Sequence, residues 1–251
     1  MTSAPTPAIA ARARILYLSQ DPALIERQLQ GEVLTLAQAR PLRDDVSTDE
    51  ITPVAILSHY DETLGEFAHT GLCCEGRTPI ARGALRAGCF DVLVAGRRYG
   101  KGSSREHSPT AEKLAGIRLV VAEGFERIYR QNADNIGLYT HTDFSLIERL
   151  ERGEALTLPM LTEGREGLAA SIVAAGGLLG FGQRELRETQ RLQTSPGPAQ
   201  GRLTLFEKIL HRHRLQTRVT PDVPRPGEGV FVRADWRFIH EYYTGMADTL
   251  L

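Results

Sequence analysis

Residues 90–107 constrain this chain more than any other stretch. Phe90-Asp91-Val92-Leu93-Val94-Ala95-Gly96 reads as a buried strand that ends in a turn, and Ser108-Pro109 as the opening of a helix. Between them lies Gly100-Lys101-Gly102-Ser103-Ser104-Arg105-Glu106-His107. A polar loop joining a strand to a helix is where open α/β folds place ligands. Backbone N–H groups, two hydroxyls and a guanidinium converge there, a set suited to a carboxylate. A phosphate-binding nucleotide loop does not fit. That motif needs four residues between its glycines and Ser or Thr directly after Lys. Here three residues separate Gly96 from Gly100, and Gly102 follows Lys101.

Serine is too weakly acidic to act as a base in plain water. Ser103 becomes one only if its alkoxide sits on converging N–H donors with Arg105 close by. Ser104 would then donate to a substrate carboxylate. A loop that merely caps the following helix uses the same residues, and the chemistry alone leaves both readings open.

The rest of the chain narrows the class. With 251 residues it is one large domain or two small ones, long enough for a proper core. The 30 basic residues nearly balance 31 acidic ones, which gives no electrostatic case for nucleic acid. Cys73, Cys74 and Cys89 are an odd count without framework, zinc or cluster spacing, so the expectation is a cytoplasmic protein that binds no metal through them. No apolar run reaches membrane-spanning length.

Along the chain, residues 1–13 are expected to be a flexible N-terminus. Strands are expected near 14–18, 91–95, 117–122 and 155–158. Helices are expected after the Asp21-Pro22 cap, over 109–115, from Phe125 to Gly137, after Asp143, and near 165–175. The alternation implies a layered α/β domain over 14–192, with a mixed sheet and flanking helices. Residues 193–202, rich in Pro, Gly, Ser and Gln, read as a linker. Residues 203–251 hold one short amphipathic helix after Thr204 and are too few for an independent core.

Three ordered motifs carry a resemblance. The loop through His107-Ser108-Pro109, the upstream segment Asp44-Asp45-Val46-Ser47-Thr48-Asp49-Glu50-Ile51-Thr52-Pro53, and Val120 through Tyr129 with Asn132, Asn135, Gly137 and Leu138 resemble the swivel domain of the aconitase superfamily. The small subunits of 3-isopropylmalate dehydratases are a close type. The resemblance implies an aconitase-like swivel fold and a hydro-lyase that dehydrates and rehydrates a hydroxy di- or tricarboxylic acid. It implies a [4Fe–4S] cluster on a larger partner subunit or domain, with none bound by this chain. By position, Ser103 resembles the family's base, Ser104 and Arg105 its carboxylate ligands, and Asp49 an acidic member of the active-site network.

The tail extends the likeness. Residues 203–210 look like the opening of the family's large, cluster-bearing part, and Asp235 through His240-Glu241 and Thr244 resemble an early motif there, with His240 at a substrate-contact position. None of the later cysteine motif is present. Residues 56–62, with His59 and Tyr60, stand where many members carry an arginine that grips a distal carboxylate. Their lack of arginine points to a substrate with an apolar or smaller distal group, isopropylmalate first. Aconitase, homoaconitase or methylcitrate-type activity is the alternative within enzymes. A noncatalytic binding or regulatory module is the alternative outside them, weighed down by the neutral composition and by intact Ser103 and Arg105.

Overall fold

A computed structural model describes residues 8–103, 105–165, 167–188, 203–215 and 229–236. They fall in two compact units, residues 1–163 and 164–251.

In the first unit the chain runs β1 (Ile15–Tyr17), α1 (Pro22–Leu29), α2 (Leu36–Ala39), α3 (Thr48–Ile51), two 3-10 turns (Val54–Ile56 and Glu62–Phe67) and α4 (Ala84–Gly88). It continues through β2 (Val92–Ala95), α5 (His107–Leu114), β3 (Leu119–Ala122), α6 (Arg127–Ile136), β4 (Tyr139–His141), α7 (Ser145–Glu151) and α8 (Leu158–Thr162). The sheet order is β1-β2-β3-β4, and every pairing is parallel. The expected mixed sheet is therefore corrected: these four strands form a purely parallel one. The reason lies in the connections, because each link between consecutive strands contains a helix that returns the chain to the same end of the sheet.

A parallel sheet covered on both faces needs strands that are apolar throughout. β2 and β3 meet this, with every residue buried. Alternation then divides the core. Leu16, Leu93, Ala95, Val120 and Ala122 face one way and pack with Ala111 of α5 and Tyr129 and Ala133 of α6. Tyr17, Val92, Val94, Leu119 and Val121 face the other way, onto Leu146, Ile147 and Leu150 of α7 and Leu161 of α8.

Helix ends follow local chemistry. Asp21 caps α1 through Ala23 N–H, with Pro22 in the first turn, and Gly137 closes α6 in the left-handed conformation. Near the N-terminus, Ile9 is fully buried and pairs antiparallel with Leu156, so the described part of the supposed flexible segment is packed. The strand expected over 155–158 is reduced to that bridge, because Pro159 lies in the first turn of α8, which starts at Leu158.

The second unit contains α9 (Gly167–Ala174), α10 (Leu178–Glu188) and α11 (Leu205–His213). Thr204 and Glu207 form a reciprocal capping box at the start of α11. Phe181 stacks on Phe231 with ring centroids 5.4 Å apart. Among the described residues no helix is long and apolar enough to cross a membrane.

Candidate active site

The Gly/Ser loop leaves the C-terminal end of β2 and is fixed from both sides before it enters α5. Tyr99 N–H donates to Gly124 O and Glu126 N–H to Tyr99 O, both at 2.9 Å, tying the loop to the segment after β3. On the other side Gly100 N–H donates to Val46 O and Thr48 N–H to Lys101 O, both at 2.8 Å. Gly100 has φ +79, and a Cβ there would collide with the Tyr129 ring. Ser103 follows at the exposed crest, and its carbonyl accepts from Arg105 N–H at 2.8 Å.

The acidic segment 44–53 is not merely a loop. Ser47 and Glu50 form a capping box around one helical turn, α3, whose first turn presents Asp49. Its four carboxylates all pair with basic side chains. Asp44 meets Arg97 at 2.7 Å, Asp45 meets Arg98 at 3.1 Å, and Glu50 meets Arg43 at 3.0 Å. Hydrogen bonds from Arg97 hold the Asp44 carboxyl below its usual range. Asp49, largely exposed, pairs with Arg105, whose side chain is only 13% exposed. Arg105 Nε is buried without a hydrogen-bond partner among the described residues, so the guanidinium is held at one end with donor capacity to spare.

Residues 56–62 reach the same end of α5. His107 Nε2 lies 3.1 Å from Leu57 O, and Tyr60 meets the His107 ring edge-on at 5.0 Å. Burial, then the neighbouring Glu106 charge, pushes the Tyr60 hydroxyl up, and burial pushes His107 down. His59 takes a different neighbour and stacks on Phe67 at 5.9 Å. Arg82 covers Phe67 and pairs with Glu66, while Arg77 pairs with Glu26, so both later arginines are engaged on the surface.

The structure thus joins Asp49 to Arg105 beside Ser103 and brings Tyr60 to the base of the same helix. Ser104 and His240 lie outside the described residues, as do Glu241 and Thr244. Asp235 is described, and it pairs with Arg233 at 3.3 Å.

Sequence reasoning missed a buried cluster under the loop. Glu112 of α5 and His69 are fully buried and 2.9 Å apart, and the hydroxyls of Tyr99 and Tyr129 both donate to Glu112. Taken singly, His69 reads as an ordinary core histidine. The one available signal was the position of Tyr99 directly before Gly100.

Among the described residues no three His, Cys, Asp or Glu side chains converge to hold a metal. Cys74 is buried, Cys73 and Cys89 are exposed, and all three are free thiols. Burial raises the Cys74 thiol, opposite to what a thiolate ligand requires. These residues do not fit an iron–sulfur cluster.

Comparison with known proteins bears on the same region. Residues 86–142 match the Aconitase C-terminal domain family. The chain is 37% identical over 115 residues to the 3-isopropylmalate dehydratase small subunit of Syntrophus aciditrophicus, covering 46% of this chain and 66% of that protein. It is 32% identical over 166 residues to the small subunit from Desulfovibrio desulfuricans, covering 60% of this chain and 96% of that one. It is 31% identical over 162 residues to the isopropylmalate/citramalate isomerase small subunit of Methanocaldococcus jannaschii, covering 59% and 92%. With its loop, its acidic turn and a near-full-length match to such relatives in place, this chain belongs to the 3-isopropylmalate dehydratase small-subunit family of the aconitase superfamily.

Proposed function

We propose that this chain is the substrate-recognition part of a hydro-lyase acting on a hydroxy dicarboxylic acid, with 3-isopropylmalate as the leading substrate. The observation that carries the reading is the Asp49–Arg105 pair beside Ser103, on a loop hydrogen-bonded along both edges. Arg105 offers a planar fork to a substrate carboxylate, and Asp49 sets its direction. Ser104 adds a hydroxyl donor to the same carboxylate. Ser103, exposed at the crest, accepts the proton on the carbon next to that carboxylate. Its alkoxide is stabilised by the neighbouring guanidinium and the loop N–H groups. The Lewis-acid chemistry at the departing hydroxyl belongs to a cluster-bearing large partner.

The choice of acid rests on residues 56–62. They contain no arginine, and Arg77 and Arg82 are paired with Glu26 and Glu66. A second carboxylate beyond the reacting carbons therefore has no evident cation in this segment. That favours an apolar or small distal group over the tricarboxylic acids of aconitase-type enzymes. The relative named for isopropylmalate and citramalate supports the same class.

The reading extends to setting and partner. Relatives named as small subunits support a large partner, without which this chain turns over nothing. By their resemblance, residues 203–251 are read as the opening of a large-subunit-like segment after the linker 193–202, with His240 at a substrate-contact position of that motif. Free cysteines support a cytoplasmic setting. The test is reconstitution with a cluster-loaded large subunit under anaerobic conditions. Reversible dehydration of 3-isopropylmalate is expected, with kcat falling at least about a hundredfold in Ser103→Ala, the low end for loss of a general base. Near-normal kcat in that variant, with fold and cluster intact, overturns the assignment.

A further inference from the structure

The cluster under the loop has a geometry that packing alone does not require. Tyr99 directly precedes the 100–107 segment and Glu112 lies beyond it, inside α5, and the Tyr99 hydroxyl donates to Glu112 Oε1. That bond closes the base of the loop. Tyr129 donates to the other carboxylate oxygen, and the face of its ring is the floor under Gly100. His69 Nε2 lies 2.9 Å from the same Oε1 and 3.0 Å from the Tyr99 hydroxyl. The His69 backbone N–H in turn donates to Ile51 O, at the end of the helical turn that presents Asp49. One buried carboxylate is therefore bonded to the residue opening the loop, to its floor and to the anchor of α3.

Burial first, and then the Glu112 charge, holds both tyrosine hydroxyls well above their ordinary range, so they remain donors. Glu112, His69 and Tyr99 are 0% exposed, and Tyr129 is 2% exposed. A polar group taken so far from water is tolerated only where it is hydrogen-bonded, and removing one partner leaves the others unsatisfied. Glu112 does not face solvent and reaches no substrate position of its own. Its effect is transmitted through the groups it holds.

We propose that Glu112 is a positioning residue that sets residues 100–105 and α3 from beneath, keeping Ser103, Arg105 and Asp49 in register. This rests on the catalytic reading of the loop but makes a claim that reads out without activity. The test uses the full chain in two parts. Amide hydrogen exchange on Glu112→Gln should show residues 100–106 exchanging at least about tenfold faster, while the central strands keep their protection. In the assembled enzyme the same variant should lower kcat about tenfold to a hundredfold, the scale of an ångström misplacement, with KM changed less than about threefold. If Glu112→Gln does not fold, Tyr99→Phe, which removes one donor and keeps the ring, carries both measurements. In a foldable pair the two substitutions should be strongly non-additive. Unchanged loop exchange, or uniform loss of protection across the sheet, overturns the proposal even if Ser103→Ala is inactive. Faster loop exchange confined to 100–106, together with a fully active Ser103→Ala, upholds the positioning role and overturns the catalytic reading.

Discussion

Residues 96–105 and residues 56–62 meet the same end of α5, yet they are held in different ways. The Gly/Ser loop is bonded to strand-like segments on both sides, to an acidic turn above and to a buried carboxylate below. The 56–62 segment is held mostly by side chains: Leu57 O meets His107, Glu62 O accepts from Arg86 Nη2 at 3.0 Å, Tyr60 meets the His107 ring edge-on, and His59 stacks on Phe67. The contrast fits the division of labour proposed for the two segments. Chemistry common to a class of acids needs atoms fixed to fractions of an ångström, whereas a contact that chooses among acids needs only the right polarity in roughly the right place.

Four substitutions would break or sharpen this comparison. The largest effect is expected from Arg105→Lys, which keeps the charge but loses the fork. kcat/KM in the assembled enzyme should fall more than about tenfold, with KM rising and kcat falling together. An unchanged KM in steady-state assays would mean that Arg105 does not hold the carboxylate. Next is Gly100→Ala. A side chain at positive φ costs about 1–2 kcal/mol, and here it also meets the Tyr129 ring, so denaturant unfolding should register at least that loss. Full stability would show that the loop is not seated on Tyr129.

Smaller still is Asp49→Asn. Asp49 is largely exposed and its ion pair is screened by solvent, so loss of its hold on the Arg105 guanidinium should lower kcat/KM only about threefold to tenfold. The least effect is expected at His107. Burial lowers its proton affinity from the ordinary 6.5, so below that value the unfolded chain binds the proton more readily than the folded one. This contribution to stability is complete above about pH 6.5 and declines as pH falls towards the lower folded value. His107→Gln should remove that part of the slope, read by thermal melts between pH 7 and pH 5 on the order of a few degrees. An identical slope in the variant would place the acid sensitivity elsewhere.

How much of this was legible depended on the range of the interaction. β2 and β3 were visible because strands buried on both faces are apolar without a break. Caps at Asp21 and Thr204 and the stop at Gly137 were visible because each acts within four residues. The all-parallel sheet was not, since strand direction is a property of the crossovers and not of the strands. The turn at Thr48–Ile51 was hidden because Ser47 and Glu50 sit in a run whose carboxylates suggest only solvation. At the site, Ser103, Arg105 and Asp49 were reachable only through motif likeness; that Asp49 and Arg105 pair is a fact of the fold. The Glu112 cluster was out of reach. Its members are spread from residue 69 to residue 129, have no periodicity, and come together only when α5 and α6 pack on one face of the sheet.

The division of labour is tested most directly by one comparison of kcat/KM for 3-isopropylmalate, citramalate and a tricarboxylic hydroxy acid. It would use wild-type enzyme, Ser103→Ala and His59→Arg, each assembled with the cluster-bearing partner. Ser103→Ala should depress all three acids by a similar factor of at least about a hundred and leave their ratios unchanged. His59→Arg should shift the ratio severalfold towards the tricarboxylic acid while keeping most of the turnover. A Ser103→Ala enzyme whose loss depends strongly on the distal group, or a His59→Arg enzyme with unaltered ratios, would contradict the assignment of chemistry to one loop and choice to the other.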